Sequence, residues 1–273
     1  MRSGVLFRVV VGGVALVLGL SGCKKAVVAD PPAGRSAGPL AGEKPPDWHR
    51  WGLDAMTPAP APPARKPLAL GGKGPVKVFS NVPTKDRVVF VTIDDGQEKD
   101  PRFVQMLTDL RVPVSMFLTD ANIRDHYDYF KPLQALGNHV QNHTLTHPVM
   151  RNLGVEGQRR EICGDQRILT QRYGTAPKLF RPPFGMWNSL TQEAARECGL
   201  QGIVLWRASM QIHDMQYDDP NKKLHPGDVL LAHFRGPKQL KGESMTKMFA
   251  AMLKRIHRQG FSVGRLEDYI SFR

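Results

Sequence analysis

The chain has 273 residues, 41% of them hydrophobic and 23% charged, a globular composition that sets aside wholesale disorder, a collagen-like repeat and a multi-pass membrane protein. Lysine and arginine total 38 against 25 aspartates and glutamates, a formal charge of +13 that bears on partners rather than on fold. Half of the 22 prolines fall between residues 24 and 75, so part of the chain reads as spacer.

At the N-terminus, Arg2 and Arg8 precede an uncharged apolar and glycine-containing run at 9–20. At about 1.5 Å per residue that run reaches roughly 18 Å, short of the ~30 Å hydrocarbon core of a bilayer, so it reads as the apolar region of a signal peptide. Leu20-Ser21-Gly22-Cys23 follows and resembles a bacterial lipobox, in which cleavage before the cysteine leaves it to receive lipid. The expectation is a signal peptide at 1–22, lipid attachment at Cys23, and an exported protein anchored to the outer face of the cell membrane. Cleavage at a plain small-residue site, giving a secreted protein, is the alternative. Cys163 and Cys198 remain as an even pair in an oxidising compartment, either joined as a disulfide or buried as two thiols. Residues 23–75, rich in Pro, Ala and Gly, read as an extended linker. Trp48 and Trp51 within it either dock on the domain or a partner, or are incidental.

From residue 76 onward, short β-branched or apolar runs alternate with longer amphipathic stretches. In chain order, 88–93 reads as a buried strand, 101–110 as a helix with Pro101 in its first turn, and 114–118 as a strand. Residues 122–136 read as helical, kinked or restarted at Pro132. A short strand at 139–143, a helix at 154–173, a strand at 178–181 and a helix at 189–198 follow, then strands at 202–206 and 229–234. A helix at 244–259, with Met245, Met248 and Met252 at core spacing, precedes a last strand at 261–263. This alternation predicts one α/β domain over 76–273, a parallel sheet with covering helices, and functional residues at the C-terminal ends of the strands.

Those strand ends are polar. The first closes in Asp94-Asp95-Gly96, the third in His143 with His147 four residues on, the fourth in Arg181, and the sixth contains Leu231-Ala232-His233. One carboxylate and two imidazoles suit one face of a divalent first-row metal, with positions left for water and substrate. Taken singly, an Asp-Gly pair is an ordinary turn and a His pair an ordinary solvated face. Their joint occurrence at successive strand ends points to a site.

Thr92-Ile93-Asp94-Asp95-Gly96, His143-Thr144-Leu145-Thr146-His147, Arg181-Pro182-Pro183-Phe184-Gly185 and Leu231-Ala232-His233 together resemble four of five signature motifs of the polysaccharide deacetylase family, the NodB homology domain of carbohydrate esterase family 4. The similarity covers roughly residues 84 to 270. It implies a distorted (β/α) barrel with a glycan groove and a divalent metal, zinc foremost and cobalt or another first-row ion as alternatives. It also implies that Asp95, His143 and His147 hold the metal, Asp94 is the general base, Arg181 orients that base, and His233 is the general acid. The Phe184 backbone N–H would meet the oxyanion, Leu231 would floor the acetyl-methyl pocket, and Trp206 would line the substrate groove. Amide hydrolysis needs what such a set offers: a polarised carbonyl, an activated water and a proton for the leaving amine. Asp94 and Asp95 would face opposite sides of a regular strand, and Gly96 permits a turn that brings both into one site. Pro148 biases His147 away from helix, so the His pair is expected on a loop.

One motif departs from the family. An Asp-Trp pair is expected after the fifth strand, its Asp tuning the catalytic histidine, but Trp206 is followed by Arg207-Ala208-Ser209-Met210-Gln211-Ile212-His213-Asp214. Either Asp214 takes the role after a shift or the role is missing. Ile93 and Gln97 are milder departures. His139 is expected to satisfy a core hydrogen bond, and His126, His213 and His225 to lie on the surface. The expected activity is metal-dependent removal of N-acetyl groups from cell-wall glycan, peptidoglycan N-acetylglucosamine or N-acetylmuramic acid foremost. A chitin oligosaccharide deacetylase, an O-acetyl esterase, and a catalytically impaired glycan-binding module of the same fold are the alternatives. The expected partners are an acetylated glycan and, through the N-terminal lipid, a membrane; the chain is expected to act as a monomer. The charge is spread along the chain with no recognisable binding motif, so nucleic acid is not an expected partner.

Overall fold

A computed structural model describes residues 45–273. The signal segment at 1–22, the lipid-acceptor Cys23 and the first part of the expected linker lie outside the described residues.

The strands are β1 (Leu68–Ala69), β2 (Lys77–Phe79), β3 (Val88–Asp95), β4 (Ser115–Leu118), β5 (His139–Asn142), β6 (Leu179–Phe180), β7 (Gly202–Val204), β8 (Ala208–Met210), β9 (Met215–Tyr217), β10 (Val229–His233), β11 (Ser262–Gly264) and β12 (Ile270–Ser271). The helices are α1 (Pro101–Leu110), α2 (Asp120–Ile123), α3 (Lys131–Ala135), α4 (Val155–Tyr173), α5 (Ser189–Glu197) and α6 (Met245–Arg258). The main sheet runs β2-β7-β6-β5-β4-β3-β10-β8-β9, with β11 on the first half of β3. Its pairs are parallel except the β8–β9 hairpin. An isolated bridge between Asn81 and Asp228 ties the end of β2 back towards β10, so the curled sheet nearly closes into the expected distorted barrel.

β3 is buried along its whole length, as its run of β-branched and aromatic residues demands of a strand covered on both faces. α1 has Asp100 as N-cap and Pro101 in its first turn, and buries Phe103, Met106, Leu107 and Leu110, the spacing of one helical face. The three methionines of α6 are buried with Phe249, Leu253 and Ile256, as expected of a core face. The helix expected at 122–136 does restart at Pro132, in the first turn of α3, but the part before it is only the short α2 and a 3-10 turn at Tyr127–Tyr129. The β8–β9 hairpin and the short β1, β2 and β12 carry too little periodicity to be read from sequence. His139 lies partly exposed at the start of β5 rather than in the core.

The expected linker also differs. Residues 53–67 have no regular structure beyond bends, but the flanking segments are fastened to the domain. The Trp51 indole N–H donates to Asp109 at 2.9 Å, Leu53 is buried in the main core with Trp48 and Trp51 against it, and Leu68–Ala69 pairs with Ile270–Ser271. Among the described residues the chain is therefore docked from about residue 47, because a few large apolar residues scattered through a proline-rich segment suffice to dock it.

Cys163 on α4 and Cys198 after α5 are joined as a disulfide, their Cα atoms 4.9 Å apart and 35 residues apart in sequence. Closing a loop of that size constrains the unfolded chain by about 4 kcal/mol. At about 2–4 °C per kcal/mol for a domain of this size, reduction should lower the melting temperature by roughly 8–16 °C, readable by calorimetry with and without reductant.

Candidate active site

Four motif segments converge at the C-terminal ends of β3, β5, β6 and β10. Asp94 stands in register with His233 on the neighbouring strand, and Leu231, two residues before His233, stands in register with Thr92. Residues two apart on a strand share a face, so Thr92 and Asp94 line up with Leu231 and His233. The chain then turns at Asp95 itself, whose φ is 75°, and at Gly96, whose φ is 78°. A Cβ on Gly96 would sit 2.5 Å from Ile123, so glycine is required there by both conformation and space.

Arg181 is fully buried just beyond β6. One guanidinium nitrogen donates to Asp94 Oδ1 and to Thr92 Oγ1, both at 2.7 Å, while Nε donates to the Val204 carbonyl at 3.0 Å and Nη2 to that of Leu205 at 3.3 Å. The plane lies over Phe117 at 4.4 Å and within 5.6 Å of Trp206. A buried charge is tolerated only when paired and hydrogen-bonded, and this fork meets both conditions. Thr92 Oγ1 in turn donates to the Leu230 carbonyl at 2.7 Å, tying the ion pair to β10.

The second cluster consists of Asp95, His143 and His147, with one candidate ligand atom from each lying within 4.8 Å of the others. His147 Nε2 is 3.3 Å from Asp95 Oδ1 and His143 Nε2 is 3.5 Å from it. At those separations the contacts are electrostatic, and Oδ1 is buried without a hydrogen-bond partner. His143 Nδ1 lies 2.6 Å from the Arg181 carbonyl, which can only accept, so Nδ1 carries the hydrogen and Nε2 turns its lone pair towards Asp95. Lone pairs of nitrogen and oxygen facing one another around an orphaned carboxylate oxygen are stabilised by a cation among them. The donor set of two imidazoles and a carboxylate fits a divalent first-row ion. Burial opposes ionisation of Asp95, whereas proton-bearing imidazoles at His143 and His147 would outweigh it and hold its carboxyl well below the usual carboxylate range, so the pocket favours a positive charge beside Asp95.

The histidine loop is held from behind by α4. Glu161 accepts from the Thr146 N–H at 2.9 Å and its hydroxyl at 2.8 Å, Asp165 accepts from the His143 N–H at 3.2 Å, and the Thr144 hydroxyl accepts from the His147 N–H at 3.0 Å. Asp165 is fully buried, which pushes its carboxyl well above the usual range. Asp95, Thr144, His147 and Phe184 are four of the seven non-glycine residues with positive φ among the described residues. Such strain concentrated in one place is characteristic of functional sites. Phe184, its side chain 58% exposed, rests on His147 with ring centroids 4.9 Å apart. Trp206 packs against Gly185 of the same turn, where a Cβ would come within 3.1 Å of the indole.

All the sequence-derived site residues in the folded domain are therefore at or beside this one place. Thr92, Phe117, Glu161 and Asp165 were not picked out from sequence; only Thr92, two residues before Asp94 on one strand face, carried a readable signal. Asp214 does not stand in for the missing aspartate of the fourth motif. It lies in the β8–β9 turn with its carboxylate 72% exposed and paired with Arg255 at 3.2 Å. The hairpin built by 208–217 carries Asp214 at its tip, with the carboxylate on Arg255 of α6. Burial, opposed by Asp94 and Asp95, pushes the His233 imidazole down to about 4. His126, His213 and His225 are exposed, as expected.

The profile of the polysaccharide deacetylase family matches residues 81–203. An uncharacterized protein of Streptomyces coelicolor is 40% identical over 194 residues, covering 71% of this chain and 77% of its own. A peptidoglycan-N-acetylglucosamine deacetylase of Bacillus cereus is 22% identical over 203 residues, covering 70% of this chain and 92% of its own. Among solved structures, the Bc1960 peptidoglycan N-acetylglucosamine deacetylase shares the fold with a TM-score of 0.61 at 22% identity, covering 73% of this chain and 94% of its own. The chain belongs to the polysaccharide deacetylase family.

Proposed function

We propose that this chain is a metal-dependent hydrolase that removes N-acetyl groups from cell-envelope glycan, with the amino sugars of peptidoglycan as substrate, and that it works outside the cytoplasm, tethered through Cys23. The reading rests chiefly on the buried Arg181–Asp94 pair set beside the Asp95, His143 and His147 ligand atoms. The chemistry of its relatives, which include a peptidoglycan deacetylase, agrees with it.

A divalent cation, with zinc the best match to the ligands, would polarise the acetyl carbonyl and make a bound water more acidic. Asp94, paired with and aimed by Arg181, accepts the proton of the attacking water. His233, in register across the strand pair, delivers a proton to the departing amine nitrogen. Its imidazole is neutral in the resting site at neutral pH, so the proton it delivers is the one that Asp94 takes from the attacking water, passed on during turnover. The Phe184 amide meets the oxyanion, Leu231 floors the methyl pocket, and the exposed Phe184 ring and Trp206 offer aromatic faces to the sugar.

A second reading, a glycan-binding module with impaired turnover, is favoured by one observation: Asp214 is committed to Arg255 and not to His233. Acetate release by the full chain loaded with zinc or cobalt, on peptidoglycan and on N-acetylglucosamine oligomers, separates the two. We expect metal-dependent release that falls by about 10²–10⁴-fold in Asp94→Asn and in His233→Ala, the range that general acid–base catalysis supplies. Metal-bound, folded protein that releases no acetate from any of these glycans sinks the hydrolase reading and leaves the binding module.

A further inference from the structure

We propose that the glycine-rich loop at 71–75 and the cations around it form a binding site for phosphate groups, with a chain of phosphodiesters as the ligand. The loop, Gly71-Gly72-Lys73-Gly74-Pro75, precedes β2 and lies upstream of residues 81–203, which the family profile matches. Nothing in the catalytic arrangement uses it.

The loop borders a hollow of about 230 Å³, lined also by Lys77, Arg196, Gln201 and Arg273. Lys77 opens β2 in register with Gly202 at the start of β7, so the hollow lies at the N-terminal ends of the strands, opposite the catalytic ends. Its walls are held in place. Leu68–Ala69 pairs with Ile270–Ser271, and the Leu70 N–H continues that ladder to the Ser271 carbonyl at 2.9 Å. The Gln201 side chain then clamps Arg273, accepting from its N–H at 2.9 Å and donating to its main-chain oxygen at 2.7 Å. A Cβ on Gly71 would sit 2.7 Å from the Gln201 amide oxygen, and one on Gly72 3.8 Å from an Arg273 guanidinium nitrogen. Having no side chains at these positions lets the loop lie directly against the clamp and the guanidinium.

Two features of this hollow call for an anion. Gly71, Gly72 and Gly74 have φ of 77°, 104° and 102°, and the N–H groups of residues 71–74 meet no acceptor among the described residues. Successive amides in such turn conformations make concavities that take phosphate. Around them stand the four positive side chains of Lys73, Lys77, Arg196 and Arg273, and no Asp or Glu side chain shares the lining. The Lys77 ammonium reaches the Ala69 carbonyl at 3.4 Å, while the side chains of Lys73, Arg196 and Arg273 enter no ion pair or hydrogen bond with a described residue. Glu197, next to Arg196, is taken by Arg159 at 2.8 Å. Like charges gathered without a counter-charge repel one another, and a bound anion removes that cost.

The class of ligand follows from charge and surroundings. Four cations exceed what one phosphate neutralises, so phosphates in succession match them and an isolated one does not. An anionic bilayer also presents phosphates, but binding to its surface draws on apolar side chains that enter it. The exposed large hydrophobic side chains among the described residues are Leu136 and Phe184, and neither borders this hollow. A polymer held here would leave the catalytic ends of the strands free for the glycan.

The test uses the full chain, with an oligomer of glycerol phosphate as probe beside inorganic phosphate, acetate and vesicles of phosphatidylglycerol. Binding is read by calorimetry and by NMR shifts of the amides of residues 71–74. The oligomer should bind about tenfold more tightly than inorganic phosphate, move those amides, and bind better than acetate. Lys73→Glu combined with Arg196→Glu should weaken oligomer binding about 100-fold, roughly tenfold for each hydrogen-bonding charge. Both side chains are exposed, so this variant should melt as the wild type does, which separates lost binding from lost folding. Oligomer binding that survives the double variant, or that leaves the loop amides unmoved, is general attraction to a basic chain and overturns the site. Vesicle binding that the double variant loses, with no binding of the oligomer, makes the surface a lipid one and overturns the polymer. Failure of both the oligomer and inorganic phosphate to bind overturns the proposal outright, and none of these outcomes depends on the deacetylase reading.

Discussion

Replacing Arg181 with methionine should lower stability by about 3–5 kcal/mol and reduce acetate release by at least the ~10²-fold expected of a lost base. Its charge is fully buried, and its partner Asp94 would remain buried at the bottom of the site without its guanidinium partner. Three further contacts vanish at once, to the Thr92 hydroxyl and the Val204 and Leu205 carbonyls. At about 2–4 °C per kcal/mol, the melting temperature should fall by about 6–20 °C. The double variant Arg181→Met with Asp94→Leu separates the two roles of the pair. Buried ion pairs replaced by apolar side chains of similar volume often lose no stability, so the double variant should melt well above the single one while remaining inactive. If Arg181→Met melts like the wild type, the pair contributes nothing to the fold. If it also turns over normally, Arg181 does not position the base.

A second large effect concerns the metal and changes sign with it. Saturating zinc should raise the melting temperature of the wild type by roughly 10 °C, since ligand at 1,000 times its dissociation constant contributes about 4 kcal/mol. His147→Ala should abolish most of that rise. Removing one of three ligands costs more than the about 10–100-fold lost on removing an outer-shell partner. Asp95→Asn should also lose the metal response, yet in chelator-treated protein it should melt slightly above the wild type. The carboxylate Oδ1 of Asp95 is buried without a hydrogen-bond partner and faces two imidazole nitrogens 3.3 and 3.5 Å away. An amide there removes the charge and brings N–H donors to those nitrogens, relieving about 1 kcal/mol of the penalty carried by an unsatisfied buried group. If Asp95→Asn is less stable than the wild type with and without metal, Asp95 is a structural carboxylate and not a ligand.

The long elements were legible because their burial is regular. β3, α1, α4, α5 and α6 came through within a residue or two, since a strand covered on both faces and a helix with one apolar face impose a visible period on the chain. In residues 122–136 the restart at Pro132 was legible, but the 3-10 turn before it was not, because it divides a pattern that looks continuous in one dimension. Nor was the docking of 47–75 legible, because a few apolar anchors separated by prolines have no period at all.

For the site, the residue types and their order at successive strand ends already named Asp94, Asp95, His143, His147, Arg181 and His233, because a parallel sheet gathers strand ends at one edge whatever the loops between them do. Three things needed the folded chain. Asp214 pairs with Arg255 rather than serving His233, since a hairpin of ordinary composition decides which way that stretch turns. Cys163 and Cys198 are bonded, since only the packing of α4 against α5 brings their Cα atoms to 4.9 Å. The support of the histidine loop by Glu161 and Asp165 was likewise invisible, since polar residues on a helix look alike in sequence whether they face solvent or a neighbouring backbone. Local chemistry is written in residue identity, whereas partnership between residues far apart in the chain is set by which surfaces the fold buries together.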